Sequence, residues 1–461
     1  MWLELLTNPV LIAVVVLLIL SFFRLNVVFS LIIASLIGGI CAGVSSVGEV
    51  SGLIGGIKDG LDLSLSAFAK GLGNGAQIAF NYAMLGAFSI AISRSGITEL
   101  LAQLLFKRIG MANTPEKLFA FKYVLLFILT CISISSQNLI PIHIAFIPIL
   151  IPPLLHVFEK LRLDRRMIAC ILTFGLITPY MFLPYGFGKI FLHEVIVKNL
   201  TSNGLNIDPS VAPKAMAIPA LGMLLGLLCA IFVTYRKPRD YDAEKTKAIV
   251  AEDVQIKPLH VAAGVVAIVL GFLGQIFLDS LVIASLLGIL VFVLARVISL
   301  RDTQDVFTKG IYLMGGIGIV MFGASGFAEV MKETGAIQEL VDMISANMAD
   351  QKGLAVFMML FIGLVITMGI GSSFSTVPLI AAIYVPLCMK MGISPLATFA
   401  IVGVAGALGD AGSPVSESVL GPTAGLNADG QHDHIYDSTI PTFIHFNIPL
   451  LIFGWIAGMI L

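Results

Sequence analysis

The chain has 461 residues, of which 58% are hydrophobic and only 12% are charged, and its mean hydropathy is +1.00. This composition excludes an ordinary soluble domain, in which about a quarter of the residues are charged. The net charge of −1 and the lack of a basic face give no reason to expect a nucleic-acid partner. The five cysteines occur singly in apolar segments, without metal or redox spacing, so we interpret them as buried thiols.

The N-terminal segment, MWLELLTNPVLIAVVVLLILSFFR, does not have the pattern of a cleaved signal peptide. Such a peptide carries positive charge before its apolar stretch, whereas here Glu4 precedes the stretch and Arg24 follows it. The positive-inside rule therefore places Arg24 in the cytoplasm and the N-terminus outside. Continued along the chain, the same threading also leaves the C-terminus outside.

Apolar segments long enough to cross ~30 Å of hydrocarbon recur along the whole chain. We predict an all-α polytopic membrane protein in the cytoplasmic membrane, with simple crossings near residues 5–23, 25–44, 72–93, 167–188, 213–234, 258–277, 280–298, 311–331, 395–411 and 441–460. A polar break splits each of two further pairs, 118–136 with 140–159 and 353–371 with 374–391. The hydrophilic stretch after the fifth crossing is rich in both signs of charge, and we interpret it as a solvated cytoplasmic linker.

The two halves of the chain resemble each other. The sequence FAKG at 68–71 recurs as FTKG at 307–310, an offset of 239 residues (310 − 71), and SGITELL at 95–101 aligns at the same offset with TGAIQEL at 334–340. The matching order of these features makes chance agreement between apolar segments a poor explanation. The sequence therefore predicts an internal repeat.

Basic residues flank the two split pairs unequally. Eight of them surround the first pair and three surround the second: Lys107, Arg108, Lys117, Lys122, Lys160, Arg162, Arg165 and Arg166 against Lys332, Lys352 and Lys390. The first set indicates cytoplasmic loops and the second set external loops. Corresponding loops on opposite faces predict inverted-topology repeats, which transporters commonly use, with a binding site where broken helices meet near the midplane.

The predicted organisation is an N-terminal transmembrane hairpin, repeat 1, a linker, a second transmembrane hairpin and repeat 2. In order, these occupy residues 1–48, 49–234, 235–257, 258–298 and 299–461. Each repeat holds a scaffold arm, a hairpin and a broken helix, at 118–159 and 167–188 in repeat 1 and at 353–391 and 395–425 in repeat 2, which adds a last helix. The amphipathic stretches 96–110 and 335–349 are interpreted as arms lying in the membrane interface.

The tips of the split pairs, ISSQNLIP at 134–141 and GSSFSTVP at 371–378, concentrate hydroxyls, an amide and a proline. Each pair forms either two full spans or one re-entrant hairpin; we favour hairpins, because irregular backbone at membrane depth must be buried or line a cavity. Polar kinks satisfied by neighbouring helices are the alternative. The candidate ion ligands here are Ser135, Ser136, Asn138, Ser372, Ser373 and Thr376, and the candidate substrate ligands are Gln137, Asn138, His143, Ser373 and Ser375.

The sequence GDAGSPVSES at 409–418 interrupts the helix after the second tip. It corresponds, in the repeat, to the interruption at 178–188 after the first tip. A carboxylate inside a membrane is a candidate functional group by default. We expect Asp410 to bind Na⁺ together with Asn138 and Ser373, or to carry a proton, and Glu417 to do either or to hold a substrate ammonium group. Thr178, Ser413 and Ser416 join the candidate ion ligands. The alternatives are a helix-capping role for Asp410 and an interfacial position for Glu417.

GDAGSPVSES, followed by HDHIYDSTIP at 432–441, resembles the NhaC-type Na⁺/H⁺ antiporter family, and most closely its branch assigned provisionally to amino-acid transport. The residues that match are Asp410, Ser413, Pro414, Ser416 and Glu417, then Asp433, His434, Ile435, Thr439 and Pro441. The chain departs from the family pattern at Tyr436 and at Glu417, where the family usually has Asp. The overall repeat resembles the wider ion-transporter superfamily, which implies an elevator mechanism against a dimeric scaffold and hence a homodimer. Asp433 and His434, which match the family segment, are candidate titrating groups, with a role in a cytoplasmic loop as the alternative. Lys189 is a candidate for neutralising a carboxylate, with snorkelling to the outer interface as the alternative.

Three functions compete at this point. The first is secondary active uptake of a small amino acid, coupled to Na⁺ or H⁺ and without a cofactor, by a protein whose other partner is membrane lipid. The second is Na⁺/H⁺ antiport with no organic substrate. The third and most remote is an intramembrane serine protease, suggested by the short pattern Gly323-Ala324-Ser325-Gly326.

Overall fold

A computed structural model describes residues 7–23, 25–46, 52–97, 100, 115–138, 147–185, 187–250, 257–278, 280–339 and 351–461. Within these ranges all regular elements are helices. Seven of the helices described are long and apolar enough to cross a membrane, or eight when one bent pair is counted as a single span. The prediction of an all-α polytopic membrane protein is therefore confirmed.

The described part of the first half forms eight helices. They are α1 (Pro9–Phe22), α2 (Val27–Ser46), α3 (Gly52–Ser93), α4 (Pro115–Asn138), α5 (Ile147–Lys160), α6 (Arg165–Phe182), α7 (Phe187–Ser202) and α8 (Pro209–Thr234). Helix α3 has 42 residues and is therefore about 63 Å long. The crossing expected at 72–93 is only its C-terminal half, because isolated glycines cost a helix about 1 kcal/mol and do not end it.

The described part of the second half begins with a short linker helix and continues with eight more helices. They are α9 (Ala243–Val250), α10 (Pro258–Leu278), α11 (Leu281–Leu294), α12 (Thr303–Glu333), α13 (Lys352–Ile370), α14 (Ser373–Lys390), α15 (Pro395–Ala407), α16 (Glu417–Leu426) and α17 (His434–Ile460). Helices α6 and α7 meet at a bend of 53°. Helices α15 and α16 are separated by the non-helical segment 408–416. Most of the two predicted interface arms, 96–110 and 335–349, lies outside the described residues.

Helices α3 and α12 pack along each other with their backbones in close approach. A Cβ atom added to Gly71 would lie 2.4 Å from the carbonyl oxygen of Ser325, and one added to Gly86 would lie 2.2 Å from that of Gly310. Only a residue without a side chain permits such contacts. The position along α12 falls as the position along α3 rises, so the two helices are antiparallel.

Most side chains of the linker described between Tyr235 and Thr246 are exposed, as the sequence predicted, but Tyr241 and Thr246 contact the rest of the protein. The buried guanidinium of Arg165, at the start of α6, donates to both carboxylate oxygens of Asp429 over 2.6 and 2.5 Å. Tyr241 of the linker stacks on this guanidinium, 4.2 Å from the ring centroid, and Thr246 donates to Asp429 over 3.0 Å. The linker therefore covers an ion pair that joins α6 to the loop after α16. We call the four residues Arg165, Asp429, Tyr241 and Thr246 the clasp.

Two opposing effects set the pKa of Asp429 in the clasp. Burial alone would raise the pKa of Asp429, but the hydrogen bonds and charge of Arg165 outweigh burial and hold this pKa below its ordinary value. A buried ion pair of this kind stabilises a fold only while both partners are charged and fully hydrogen-bonded.

Several helices expose large apolar side chains, as a bilayer requires. Phe119 and Phe127 on α4 and Phe232 and Val233 on α8 are each at least half exposed. By contrast, α13 is buried along most of its length. Exposed apolar area on this scale indicates contact with lipid or with another membrane protein, whereas α13 lies inside the helix bundle.

Candidate functional site

The break between α15 and α16 depends on two glycines in the left-handed backbone region. Gly409 has φ +86°, and a Cβ there would lie 2.6 Å from the backbone nitrogen of Met368 on α13. Gly371, which ends α13, has φ +70°, and a Cβ there would lie 2.7 Å from the carbonyl oxygen of Val415. The break is therefore wedged against the tip between α13 and α14, and both positions require glycine.

Asp410 follows Gly409 inside this break and is only 7% exposed. Its Oδ2 accepts hydrogen bonds from Ser373 Oγ over 2.6 Å and from the Tyr180 hydroxyl over 2.7 Å, and its Oδ1 accepts one from Ser416 Oγ. Ser373 begins α14, Ser416 caps the N-terminus of α16, and Tyr180 lies near the end of α6. The carboxylate thus lies at two helix N-termini, where negative charge is favoured, and touches both broken helices.

Three oxygen atoms at this site form a closed triangle. The Tyr180 hydroxyl and Ser373 Oγ are 2.7 Å apart, and both contact Asp410 Oδ2. Two hydroxyl hydrogens can fill at most two of these three contacts while Asp410 is ionised. A proton on Asp410 supplies the third hydrogen, whereas a cation among the oxygens makes use of their lone pairs. The geometry therefore suits a site that alternates between the two.

The structure brings Asp410, Ser373 and Ser416 into contact, whereas the hydroxyls of three other candidate ligands bond to backbone carbonyls. Ser413 Oγ donates to the carbonyl of Met368 over 2.7 Å, Thr376 Oγ1 to that of Ser372 over 2.9 Å, and Ser136 Oγ to that of Ser133 over 2.7 Å. These hydroxyls satisfy local backbone carbonyls in this conformation. Ser135 and Ser372 are half-buried.

The first tip is described only in part. Helix α4 ends at Asn138, and His143 lies outside the described residues, as do the side chains of Gln137, Asn138 and Ser375. The Na⁺ site predicted from Asp410, Asn138 and Ser373 can therefore be followed only for Asp410 and Ser373. Thr178 Oγ1 on α6 is buried and has no hydrogen-bond partner within the described part of the chain, so it retains an oxygen for a ligand.

Glu417, the first residue of α16, makes a contact that the sequence did not suggest. Its Oε2 accepts a hydrogen bond from the Tyr82 hydroxyl over 2.8 Å, and Tyr82 is a 5% exposed residue of α3. Helix α3 packs with α12 rather than with the broken helices. The contact therefore joins the α3–α12 pair to the N-terminus of α16.

Three residues near the site were missed by sequence reasoning: Tyr82, Tyr180 and Asn447. Asn447, on α17, accepts a hydrogen bond from the backbone of Gly409 over 3.2 Å, and its buried Nδ2 has no partner among the described residues. Tyrosines in apolar helices are usually packing residues. For Asn447 a signal existed, since a buried amide in a membrane span is costly without a purpose.

The segment HDHIYDSTIP at 432–441, the second of the two that resemble the antiporter family, packs against the break between α15 and α16. His434 Nε2 contacts the carbonyl of Pro414 over 2.8 Å, and Nδ1 contacts Thr423 Oγ1 over 2.9 Å. Asp433 caps the start of α17 by accepting from the backbone of Ile435. Both residues therefore have structural contacts close to the break, whereas Lys189 is exposed.

Comparison with known proteins gives two family matches and several relatives. Residues 171–455 match a family described as the Na⁺/H⁺ antiporter family, and residues 8–109 match a second, similarly described family. An uncharacterized membrane protein of Vibrio parahaemolyticus is 52% identical over 98% of this chain and its own full length. A Bacillus subtilis protein named "Putative amino acid transporter YuiF" is 44% identical over 87% of this chain and 91% of its own.

Solved structures resemble the chain more distantly. MtrF of Neisseria gonorrhoeae has 18% identity and a TM-score of 0.41 over 94% of both chains. The YdaH transporter of Alcanivorax borkumensis has 14% identity and a TM-score of 0.39 over 87% of this chain and 88% of its own. The first family match covers more than half of the chain and includes the break with Asp410. This chain is a member of the Na⁺/H⁺ antiporter family of membrane transporters.

Proposed function

We propose that the protein is a secondary active transporter in which a Na⁺ or H⁺ gradient drives the uptake of a small amino acid. The observation that carries this proposal is the buried carboxylate of Asp410, which receives hydroxyl groups from both broken helices and from the second tip. Charged groups are retained inside membrane proteins chiefly on ion and substrate pathways. The name of the Bacillus subtilis relative supports the amino-acid substrate.

The oxygen triangle favours H⁺ over Na⁺ as the coupling ion. Protonation of Asp410 gives every contact among Asp410, Ser373 and Tyr180 one hydrogen, without moving a heavy atom. A bound Na⁺ needs the same oxygens as ligands and, as a hard cation, several more oxygens around it, so it requires further groups such as Thr178. We propose proton coupling as the first alternative to test and Na⁺ coupling as the second.

An inverted repeat and an elevator mechanism are part of the proposal. The contact between Gly71 and Ser325 has a counterpart under the repeat offset of 239 residues, because adding it to 71 gives Gly310 and subtracting it from 325 gives Gly86. Gly86 and Gly310 are in contact in the same way. Two antiparallel helices whose contacts exchange in this manner are related by a two-fold axis across their length, which supports inverted repeats. In an elevator, the broken helices would move as a body against α3 and α12.

The membrane arrangement that we propose is a homodimer in the cytoplasmic membrane with both termini outside. Labelling of intact cells with an impermeant maleimide tests the inverted topology. One variant carries an introduced cysteine at Gln103 and the other at Met348. We expect the second to react and the first to react only after lysis. Reaction of both in intact cells would contradict the inverted repeat and the elevator with it.

The second candidate function is Na⁺/H⁺ exchange without an organic substrate, which the description of the matched family favours. The same carboxylate can serve it, since Na⁺ and H⁺ compete for one anionic group. The protease alternative has less support, because Ser325 lies within the continuous helix α12 and its backbone packs against Gly71.

Flux into proteoliposomes distinguishes these candidates. Purified protein is reconstituted, and uptake of radiolabelled glycine, L-alanine and L-serine is measured under an inward Na⁺ gradient, an inward H⁺ gradient or no gradient. We expect accumulation under one gradient only. Proton flux driven by Na⁺ in the absence of amino acid, read with a pH-sensitive dye inside the vesicles, together with no accumulation of the three amino acids, would instead establish the antiporter and exclude coupled uptake of these substrates.

A further inference from the structure

A cavity of about 570 Å³ lies between α12, the turn that joins α1 to α2, α16 and the start of α17. One wall is formed by Tyr312 and Val320 of α12 together with the turn at 25–27, and the opposite wall by Leu420 and Ala424 of α16. Its volume is within the range of small-molecule sites, although neither Asp410 nor Glu417 lines it. The cavity therefore lies beside the Asp410 site and needs its own explanation.

The cavity follows one face of α16 toward Glu417. Residues three, four and seven apart share a helix face, so Glu417 lies above Leu420, Ala424 and Asn427. The lining stops at Leu420, one turn short of Glu417. The next residue back, Ser416, donates to Asp410. A molecule moving along this face from the cavity would therefore meet Glu417 first and Asp410 next.

Polar groups also line the cavity. Asn26, Thr423, Asn427, Asp433 and His434 lie among its apolar lining residues. His434 contacts both Thr423 of α16 and the carbonyl of Pro414 in the break, over 2.9 and 2.8 Å. Part of the polar lining is thus fixed to the same body that carries Asp410. A lining that mixes polar and apolar groups suits a small zwitterion with an apolar side chain.

A hydrogen bond joins α3 to α16 beyond the Leu420 end of the cavity. Tyr82 of α3 donates to Glu417 over 2.8 Å at the N-terminus of α16, and Tyr82 is buried. This bond joins the two bodies whose relative movement an elevator requires. While it is made, it ties the N-terminus of α16 to α3.

We propose that the cavity is one half of the substrate pathway and that the Tyr82–Glu417 hydrogen bond is the gate at the end of the cavity nearest Glu417. The gate opens when a substrate ammonium group takes the place of the Tyr82 hydroxyl on Glu417. The proposal rests on the proposed function and adds the pathway, the gate and the group of the substrate that opens it. An ammonium group makes a charge-assisted hydrogen bond with a carboxylate, which is stronger than the bond from a neutral phenol. The empty carrier therefore keeps α16 on α3, and the loaded carrier releases it. A ligand shifts a conformational equilibrium only through such a difference in affinity between two states.

Tyr82→Phe tests the gate, because it removes the hydroxyl and keeps the ring. Binding of glycine, L-alanine and L-serine to purified protein in detergent is measured by calorimetry. We expect the variant to bind the transported amino acid roughly 10-fold more tightly than wild type, since a competing hydrogen bond to a charged group is gone. In proteoliposomes, exchange should continue while gradient-driven accumulation falls at least 5-fold, because the empty carrier no longer holds its position.

Tyr384→Phe is the matched control. Its hydroxyl is also buried and donates over 2.7 Å, but to the carbonyl of Met359 within the α13–α14 pair. This variant should have wild-type affinity and accumulation, whatever it loses in thermal stability. Equal behaviour of the two variants would overturn the gate, since it would mean that loss of any buried tyrosine hydroxyl has the same effect.

Ala424→Trp tests the pathway by filling the cavity, with Leu224→Trp on the exposed face of α8 as control. We expect loss of both exchange and accumulation in Ala424→Trp, with binding in detergent retained within about 3-fold because the Asp410 site stays intact. Wild-type flux in Ala424→Trp would overturn the pathway. If wild-type protein transports none of the three amino acids, the proposed function fails together with the gate. If wild type transports and Tyr82→Phe equals it in affinity and accumulation, the gate alone fails.

Discussion

The two broken helices, α6–α7 and α15–α16, have related shapes and different chemistry. The first bends by 53° after Pro179 and brings the hydroxyl of Tyr180 to the site, whereas the second opens into nine non-helical residues that carry Asp410 and two serines. One break therefore supplies a hydrogen-bond donor and the other the acceptor. The difference teaches that a repeated framework need not repeat its charge.

Removal of the charge from the second break should have the largest effect. Asp410→Asn keeps the shape of the side chain, and its amide can still hydrogen-bond to Ser373 and Ser416. Because an amide neither titrates nor neutralises a cation, we expect a folded protein in which gradient-driven accumulation in proteoliposomes is abolished. Asp208→Asn, which changes an exposed loop carboxylate, should accumulate substrate normally. Wild-type accumulation by Asp410→Asn would mean that the two breaks do not differ in function.

The clasp joins the start of α6 to the loop after α16, and its loss should have the second largest effect. Asp429→Asn leaves the buried guanidinium of Arg165 without an anion, which typically costs about 3–5 kcal/mol of unfolding free energy. The lowered pKa of Asp429 means that this stability is present above the ordinary aspartate pKa and is lost as pH falls through the lower, folded-state value.

Thermal unfolding in detergent at several pH values measures the clasp. We expect the unfolding temperature of wild type to decrease below about pH 4 and that of Asp429→Asn to be lower and to depend less on pH. Asp240→Asn is the control, since Asp240 pairs with Arg162 in solvent, where ion pairs contribute little. An Asp429→Asn protein as stable as Asp240→Asn would show that α6 and the loop after α16 do not need the ion pair.

The donor from the first break gives a sharper test of the comparison. Tyr180→Phe removes one hydrogen bond to Asp410 and should weaken substrate or ion binding by about 1–3 kcal/mol, or roughly 5–150-fold in dissociation constant. Ser373→Ala should behave similarly, because its hydroxyl shares the same oxygen of Asp410. Calorimetry with the transported amino acid and ion measures both, with Tyr384→Phe as the control for loss of a buried phenol. Unchanged affinity in Tyr180→Phe would leave the first break a purely structural element.

The sequence predicted the framework better than it predicted the site. Hydropathy and charge were sufficient for an all-helical polytopic protein, because the bilayer imposes long apolar helices whatever their packing. Three of the four side chains that meet at Asp410, namely Asp410 itself, Ser373 and Ser416, were named in advance, since polar residues at helix breaks stand out in apolar segments. Tyr180 and Tyr82 were not, because tyrosine is ordinary in apolar helices.

Long-range contacts explain what remained hidden. Tyr180 meets Asp410 across 230 residues of sequence, and Tyr82 meets Glu417 across 335. No local pattern encodes such pairs in a single sequence. The contacts of the linker were missed for the same reason, because its mixed charges predict solvation and only the fold brings Tyr241 and Thr246 to the ion pair of Arg165 and Asp429.

The smallest expected effect concerns the part that the two halves share, the glycine contacts between α3 and α12. A Cβ added to Gly86 or to Gly310 would lie 2.2 Å from a backbone atom of the other helix, so the two helices must separate. Overpacking of this kind costs about 1–3 kcal/mol, and alanine returns up to about 1 kcal/mol of helix propensity. Gly86→Ala and Gly310→Ala should therefore each lower the unfolding free energy by about 1–2 kcal/mol and by similar amounts, because each replaces its glycine in the same close contact between α3 and α12. Gly73→Ala on α3, where a Cβ meets nothing within 4 Å, should instead stabilise the protein slightly. Thermal unfolding in one detergent compares the three, and a clear loss in only one of the two contact variants would indicate that α3 and α12 are not equivalent partners.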